Sequence, residues 1–549
     1  MLDYLIKQII KLKPTTSKEV FNLKRRALLE FGKKDFPKNS EILNYYRQNY
    51  RKRTQALDLY FEKLLRRAPI RSLSGIVSVT VLTKPFKCPG NCLFCPKESG
   101  MPKSYLKNEP AAARAYALKF DPYLQVKRRI ETLEVQGHKA DKIELIVLGG
   151  TWSYYPKQYQ NWVIRRCFEG ANCVSEKRKA QDINSKLKAQ NAKPQLKTQS
   201  LAFVQKINET AEHRIIGLTL ETRPDYINEK EIKRMRELGV TRIELGAQSL
   251  DDYILKLNNR GHDVAKTIHA TKLLKDAGFK INYHIMLDLP GSNMKIDEQM
   301  FETLFTDTRF QPDWLKIYPT SVLKTAPLYK LWKAGKYKPY TKKRLEDLLI
   351  NIKQKIPPYV RITRLIRDIP LPDIVAGSEI SNLRQDLHAR MKKEGTICQC
   401  IRCREVREMN YDEPIELVRR DYNASSGKEI FLSFEDKKRQ HLYALLRLRI
   451  SSQYFSGEKH FIKELQDCAL IREVHTYGDV VPLTKHAKLA YQHKGLGKKL
   501  ITETERIAKK EYGIKKIAVI SGIGVREYYR KMGYKLEGTY MTKTLNSKL

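Results

Sequence analysis

Three closely spaced cysteines are the residues of this chain best suited to chemistry. Cys88, Cys92 and Cys95 follow a C-x3-C-x2-C spacing on a loop that Pro89 and Gly90 keep out of a helix. A single zinc ion bound here would require a fourth protein ligand nearby. Iron–sulfur clusters also bind thiolates, usually four, so a cluster on these three would leave one iron open to an outside ligand. The spacing alone leaves both metals open.

A second group of cysteines lies near residue 400. Cys398, Cys400 and Cys403 follow an apparent helix, in which His388 is a candidate fourth ligand. A tetrahedral zinc site with three thiolates and one imidazole is the simplest completion. The other cysteines are isolated and indicate buried or free thiols: Cys167, Cys173 and Cys468. Clustered cysteines without a disulfide framework indicate metal chemistry in a reducing compartment, and we predict a cytoplasmic protein.

A glycine-containing loop precedes a helical segment near the C-terminus. Residues 492–497, with the sequence QHKGLG, lead into a helix that ends near Gly513. Backbone N–H groups at a helix N-terminus bind pyrophosphate. A plain turn would use the same glycines, so the loop alone assigns no ligand. A strand, a short helix containing Tyr528 and Tyr529, and a final strand follow.

Strands that alternate with amphipathic segments must position these residues. Six apolar runs predict the β/α units of a full or partial barrel: 76–82, 143–150, 214–221, 241–249, 280–291 and 313–319. Functional residues lie at the C-terminal ends of the strands in such folds. Here those ends carry Gly149, Gly150, Thr151, Glu221, Arg223 and Gln248. Residues 175–206, rich in polar side chains, predict a mobile surface insertion.

The chain carries a large excess of basic residues. It has 104 Lys and Arg against 61 Asp and Glu, a formal charge of +43, which favours nucleic acid as a partner before an anionic membrane surface. A generally basic proteome would give the same excess. Residues 45–54, YYRQNYRKRT, predict either a solvated helix face or a phosphate-and-base surface formed by Arg47, Arg51, Lys52 and Arg53. No apolar run approaches 18 residues, so we predict no membrane span.

The first cysteine motif, placed after the first strand of a β/α barrel, resembles the radical S-adenosylmethionine (SAM) superfamily. The resemblance implies a 4Fe-4S cluster on Cys88, Cys92 and Cys95, with SAM bound to the open iron. It also implies SAM contacts for the residues at the strand ends: Gly149, Gly150, Thr151, Glu221, Arg223 and Gln248. A tight turn and a structural ion pair are the ordinary alternatives for the glycines and for Arg223.

The C-terminal loop and the segment YYRKMGY (528–534) resemble the GNAT acetyltransferases. The resemblance implies acetyl-CoA bound on Gln492, His493, Lys494, Gly495, Leu496 and Gly497. It implies that Tyr528 or Tyr529 lies near the thioester sulfur and protonates the leaving thiolate, with Tyr529 also contacting acetyl-CoA. Core packing is the ordinary alternative for both tyrosines. Because adjacent helix residues point apart, at most one of the two is expected to face the thioester.

The two modules together are similar to the catalytic subunits of Elongator, a family of tRNA wobble-uridine acetyltransferases. Matching stretches include residues 68–96, LETRPD (220–225), IRDIPLPDIVAGS (366–378) and VHTYGDVVP (474–482). The resemblance implies that the acetyl group of acetyl-CoA is joined, through a SAM-derived radical, to C5 of the wobble uridine as 5-carboxymethyluridine. It implies a tRNA anticodon stem–loop bound by the basic residues, including Arg361, Arg364 and Arg367. Because this run alternates with Ile362 and Leu365, a basic strand edge or loop explains it equally well. The resemblance does not distinguish a monomer from a homodimer. Further Elongator subunits are expected as partners only where the organism has them.

We therefore expect an α/β protein with four regions. These are a basic helical tRNA-binding region (1–71), a radical SAM partial (β/α)6 barrel (72–375), a zinc-binding linker (376–425) and a GNAT domain (426–549). One alternative is a lysine acetyltransferase whose barrel is a structural or RNA-binding scaffold. Another is a tRNA-binding scaffold with degenerate catalysis, against which the three intact loop cysteines, Gly495 and Gly497 count.

Overall fold

The computed structural model of the chain describes residues 1–50, 55–67, 75–183, 199–378, 382–406, 414–477 and 495–545. Its first elements are helices α1 (Leu2–Leu12), α2 (Ser17–Glu30), α3 (Asn39–Asn49) and α4 (Gln55–Leu65). The apolar side chains Leu5, Ile6 and Ile9 recur at helical spacing and pack with those of α2 to α4 in a small core. Four helices thus occupy the basic N-terminal region, whose contact with tRNA stays a prediction.

A parallel sheet of seven strands forms the partial barrel, in the order β1-β2-β3-β4-β5-β6-β8. The strands are β1 (Val77–Leu82), β2 (Lys142–Leu148), β3 (Arg214–Thr222), β4 (Arg242–Gln248), β5 (Lys280–Leu287), β6 (Trp314–Pro319), β7 (Val322–Leu323), β8 (Arg361–Arg364) and β9 (Ile374–Ala376). β7 and β9 pair with each other outside the sheet. The six predicted strands are confirmed within a few residues. The seventh, β8, has the sequence RITR, with an arginine at each end and one apolar residue, too short and too basic to stand out in the sequence.

Helices connect the barrel strands and cover their outer face. They are α5 (Pro110–Ala117), α6 (Pro122–Val135), α7 (Lys157–Ile183), α8 (Leu201–Asn208), α9 (Glu229–Glu237), α10 (Asp252–Leu257), α11 (Val264–Asp276), α12 (Met294–Thr306), α13 (Leu328–Lys333), α14 (Lys342–Lys355), α15 (Leu383–Lys393) and α16 (Ile401–Arg404). Parts of α7 and α8 lie in the predicted insertion 175–206, of which residues 184–198 are outside the described part of the chain.

The barrel strands alternate between an apolar outer face and a polar inner face. In β1, Val77 and Val79 join the core under the helices, whereas Ser78 and Thr80 line the interior. The charged and polar inward side chains of the other strands include Glu144, Arg242, Glu244, Asn282, His284 and Lys316, interspersed with apolar ones such as Ile146 and Met286. The interior of a (β/α) barrel is usually filled by bulky branched side chains. Here it is a cavity with many charged and polar side chains in its wall.

A mostly antiparallel sheet follows, in the order β10-β11-β12-β13-β14-β16-β15. Its elements are β10 (Ile415–Ala424), β11 (Gly427–Asp436), β12 (Leu442–Ile450), α17 (Ser452–Ser456), β13 (Cys468–Thr476), α18 (Leu496–Tyr512), β14 (Lys516–Val519), α19 (Arg526–Arg530), β15 (Lys535–Glu537) and β16 (Tyr540–Thr544). β13 and β14 pair in parallel only over Cys468–Ile471 and Lys516–Val519. The rest of β13 runs beyond this pairing and borders an opening in the sheet.

The C-terminal sheet packs against the barrel edge formed by the N-terminal ends of the strands, here called the lower edge. Gly522 and Gly524 lie directly on the start of β3, so close that a Cβ on Gly522 would be 2.0 Å from the carbonyl oxygen of Ile216. Buried ion pairs also cross this contact, among them Arg449 with Asp276 at 2.7 Å. Within the described part of the chain, we find no helix with the length and apolarity needed to cross a membrane.

Candidate active site

The first cysteine loop lies at the opposite, upper edge of the barrel, directly after β1. It is anchored to its neighbours by backbone hydrogen bonds, such as that from the Leu93 N–H to the Asn258 carbonyl, at 3.1 Å. Within the loop, the Cys95 N–H donates to the Cys92 carbonyl at 3.3 Å. Cys88, Cys92 and Cys95 all line the same cavity. Three thiolates leave one iron of a 4Fe-4S cluster open, so the donor set fits a cluster that binds an outside ligand.

The surroundings of Cys92 favour its thiolate form, in which it can bind a metal. A hydrogen bond from the Cys95 thiol and the positive charge of Arg260 lower the pKa of Cys92 to about 5. Arg260 Nη1 lies 3.5 Å from Cys92 Sγ, while its Nη2 donates to the Gly246 carbonyl at the end of β4. The thiolate is the form that binds iron. Arg260 was missed in the sequence because a single arginine in a loop carries no recognisable motif.

The glycine pair after β2 lies beside the cysteine loop. Gly149 and Gly150 have φ angles of 144° and 98°, a region that disfavours other residues. A Cβ on Gly149 would also be 1.8 Å from Thr83 Oγ1. Thr151 places its hydroxyl 3.9 Å from Cys88 Sγ. The glycines thus allow the backbone to turn closely past the end of β1, next to the predicted cluster.

The polar residues at the ends of β3 and β4 line the same cavity but differ in how they are held. Glu221 accepts a hydrogen bond from the Tyr105 hydroxyl at 2.6 Å. Arg223 donates from Nε and Nη2 to the two carboxylate oxygens of Asp225, both at 2.9 Å. This pair is the structural alternative considered for Arg223, although its side chain still faces the cavity. Gln248 has a φ of 71° and also lines the cavity.

The described end of the predicted acetyl-CoA loop, residues 495–497, lies beside the segment YYRKMGY (528–534) at the opening in the C-terminal sheet. Gly495, with a φ of 70°, caps α18, and Gly497 lies in its first turn. A Cβ on Gly497 would be 3.4 Å from the Tyr528 hydroxyl. Tyr528 is 42% exposed, whereas Tyr529 is 6% exposed and belongs to the core of this sheet. Gln492, His493 and Lys494 lie outside the described residues.

One cavity of about 1230 Å³ connects the two sites. Its upper end is lined by Cys88, Cys92, Cys95, Thr151 and Gln248. It continues between the polar inner faces of the strands to the lower edge. There it reaches Val474, Gly495, Gly497 and Tyr528. A group bound at the C-terminal site therefore has a path through the barrel interior to the cysteine loop.

The second cysteine group converges between α15 and α16. The sulfur atoms of Cys398, Cys400 and Cys403 lie within 4.8 Å of one another, as expected for a single ion. The Nε2 atom of His388 lies 3.5 Å from Cys403 Sγ. Hydrogen bonds from the neighbouring thiols hold the pKa of Cys400 well below its usual value, and the bond from Cys398 has the largest effect. The donor set fits a metal site with three thiolate ligands, with His388 at its edge.

The basic residues predicted to meet tRNA are mostly engaged inside the protein. Arg47 donates to the Glu134 carbonyl at 2.8 Å and pairs with Glu62. Arg361 pairs with Glu405 at 2.8 Å, and Arg367 pairs with Glu109 at 2.7 Å. Arg364 is 47% exposed and pairs with the exposed Asp368 at 3.0 Å. Three further predicted contacts lie outside the described residues: Arg51, Lys52 and Arg53.

Comparison with known proteins agrees with this architecture. The radical SAM superfamily profile matches residues 83–304, the radical SAM C-terminal domain matches 312–393, and the GNAT acetyltransferase family matches 488–534. The fold is thus a radical SAM partial barrel joined to a GNAT domain. The tRNA uridine(34) acetyltransferase of Methanocaldococcus jannaschii is 46% identical, over 93% of this chain and 90% of its own. Elongator complex protein 3 of Saccharomyces cerevisiae is 39% identical, over 93% and 89%.

A solved structure supports the same assignment. The archaeal Methanocaldococcus infernus Elp3 with an N-terminal deletion superposes with a TM-score of 0.71 at 43% identity, covering 86% of this chain and all of that one. The chain belongs to the family of Elongator complex protein 3 and the tRNA uridine(34) acetyltransferases.

Proposed function

We propose that this protein modifies tRNA at the wobble uridine, using acetyl-CoA and SAM to form 5-carboxymethyluridine. The observation that carries this function is the single cavity from Tyr528 to the cysteine loop. A methyl C–H bond of an acetyl group is too inert for acid–base transfer to an uncharged base carbon. A radical generator and an acetyl donor therefore have to share one enclosed space. Family membership supports the same substrate, since relatives are named for uridine(34) of tRNA.

The chain's own residues take separate parts in this reaction. Cys88, Cys92 and Cys95 would hold a 4Fe-4S cluster, which together with SAM supplies a 5′-deoxyadenosyl radical when bound. Gly150 lines the cavity beside the three cysteines, where SAM would bind, and the Cys95 thiol and Arg260 lower the pKa of Cys92. Tyr528, next to the first turn of α18, is the residue placed to protonate the departing CoA thiolate. The N-terminus of α18 presents backbone N–H groups for pyrophosphate.

The second cysteine group is proposed to bind a structural zinc ion. Three converging thiols and a histidine at 3.5 Å from one of them match a closed site of three thiolates and one imidazole. Elemental analysis should find one zinc per chain, lost in Cys400→Ser and retained in Cys468→Ser.

We propose that tRNA reaches the cavity from the upper edge, where Arg364 is the most exposed of the three predicted arginines.

Anaerobic reconstitution tests the radical reaction. Protein supplied with iron, sulfide, SAM, a low-potential reductant, acetyl-CoA and tRNA should yield 5-carboxymethyluridine in nucleoside mass analysis. Cys92→Ser should form none, yet bind acetyl-CoA normally, while the control Cys173→Ser should retain activity. Normal uridine modification by Cys92→Ser would refute the radical route. A lysine acetyltransferase would instead acetylate histone-like peptides and ignore tRNA.

A further inference from the structure

Two carboxylates and a histidine meet at the lower edge of the barrel, away from the first cysteine loop. Glu134 lies in the last turn of α6, and Glu212 and His213 directly precede β3. One ligand atom from each, two carboxylate oxygens and an imidazole nitrogen, lie within 4.8 Å of one another. The first cysteine loop follows the other end of the strands, roughly 20 Å away for strands of this length.

The imidazole of His213 is held in one orientation. Its side chain is 1% exposed, and Nδ1 lies 2.9 Å from the Ala140 carbonyl oxygen. Because a carbonyl oxygen only accepts, Nδ1 carries a proton and Nε2 of the neutral ring presents its lone pair. Nε2 has no hydrogen-bond partner among the described residues. Histidines that bind metals are typically oriented in this way through their second nitrogen.

The groups that face Nε2 match a cation in both charge and distance. Glu134 Oε1 lies 3.6 Å from Nε2, beyond hydrogen-bonding distance. Carboxylates and an imidazole lone pair are all acceptors, and a shared cation is one arrangement that brings them together favourably. Ligands at ~2.0–2.2 Å from a first-row metal ion are roughly 3 to 3.5 Å apart. The observed separation is close to that range.

We propose that Glu134, Glu212 and His213 bind a first-row divalent cation, with water completing its coordination at the exposed Glu212. First-row divalent ions bind to sites made of one imidazole and two carboxylates, without any thiolate ligand. The site is therefore distinct from both cysteine groups, and it stands independently of the reaction proposed above.

The position of the site gives the ion a structural role. Glu134 belongs to the helix whose backbone accepts the Arg47 hydrogen bond from the N-terminal helices. Glu212 and His213 belong to the segment that also carries Glu209, which pairs with Arg526 at 3.1 Å and with Arg530 at 2.7 Å, both on α19. The ion would tie these two segments together and fix the surface on which α19 rests.

Titration with Mn²⁺ tests the site, because this hard ion disfavours the thiolates of both cysteine groups. The full chain, freed of loosely bound metal, is titrated with manganese chloride while free Mn²⁺ is followed by electron paramagnetic resonance. The unaltered protein should bind one Mn²⁺ ion, and the His213→Gln variant should not bind it. Glu212→Gln, a change at an exposed position that leaves folding intact, should weaken binding at least 10-fold. Glu131→Gln on the same helix is the matched control and should bind normally.

A second measurement keeps the proposal testable if His213→Gln folds poorly. Bound Mn²⁺ should raise the Tm of the unaltered protein and of Glu131→Gln, but not that of Glu212→Gln. Equal Mn²⁺ uptake by the unaltered protein and Glu212→Gln would overturn the proposal. Absence of any uptake would also overturn it.

Discussion

The guanidinium of Arg472, on β13, lies against both carboxylate oxygens of Asp313, the residue before barrel strand β6, at 3.0 and 2.5 Å. Both side chains are fully buried. Arg472 also reaches Glu429 on β11, at 2.8 Å. The barrel and the C-terminal domain are therefore held in register by ion pairs that water does not screen. Such pairs specify geometry, because a misplaced domain would leave their charges buried and unpaired.

Acidification should loosen this contact. Burial alone would raise the pKa of Glu473, but Lys280 and Arg447 lower it to about 2. A carboxylate with a depressed folded pKa adds stability above its unfolded pKa of about 4.3, and the gain is lost as the pH falls toward about 2. We expect the Tm of the full chain to drop steeply below pH 4.

Asp313→Asn should reproduce much of that loss at neutral pH. Removing one partner leaves buried cations uncompensated, at a cost of about 3–5 kcal/mol. Glu503→Gln, which breaks the exposed pair with Arg506, should cost less than about 1 kcal/mol. Chemical denaturation measures both. Similar losses in the two variants would show that the buried network does not hold the domains together.

Gly522→Ala should disturb the docking of the domains without straining its own backbone. Gly522 has a φ of −70°, which alanine adopts freely, but the added Cβ would lie 2.0 Å from the Ile216 carbonyl oxygen. We expect a loss of about 1–3 kcal/mol and faster proteolysis between the domains. Gly217→Ala is the control, since its Cβ would meet no atom closer than 3.5 Å. Unchanged proteolysis of Gly522→Ala would contradict the close packing.

Tyr528→Phe should separate catalysis from binding. Loss of a general acid lowers kcat by about 100-fold or more, whereas the affinity for acetyl-CoA should stay within about threefold, since the ring is kept. Tyr529→Phe changes a core residue whose ring packs 5.7 Å from that of Tyr534, and should leave kcat nearly unchanged. The assay is tRNA-dependent release of CoA. Equal loss of kcat in both variants would remove Tyr528 from the role of proton donor.

Arg364→Ala should weaken tRNA binding and reduce the slope of log Kd against log salt by about 1, as expected for one lost phosphate contact. Arg364 is half-exposed and its pair with Asp368 lies at the surface. Arg367→Ala should act differently, because it breaks the internal pair with Glu109 and lowers Tm. Filter binding across a salt series measures the slope. An unchanged slope in Arg364→Ala would remove this residue from the interface.

The sequence contained enough to predict the partial barrel, because its strands are apolar runs separated by amphipathic segments. It also showed both cysteine groups, whose spacing is local. The short strand β8 was left open, as a basic strand edge or a loop, because Arg361 and Arg364 bracket it. Arg260, Tyr105 and the polar residues inside the barrel were missed because their proximity comes from pairing between distant strands. The difference between Tyr528 and Tyr529 also needed the structure, since only packing separates neighbours on one helix.

The polar interior of the barrel has a consequence for the molecule as a whole. A barrel without a packed interior gains little rigidity from its own core. Without the second sheet, its charged lower edge would also be exposed to solvent. In this chain that edge is covered by the second sheet, whose buried Arg447, Arg449 and Arg472 pair with Asp276 and Asp313 of the barrel. We therefore expect neither half to fold well alone. Separately expressed halves should be insoluble or partly unfolded, and the intact chain should melt in a single cooperative transition.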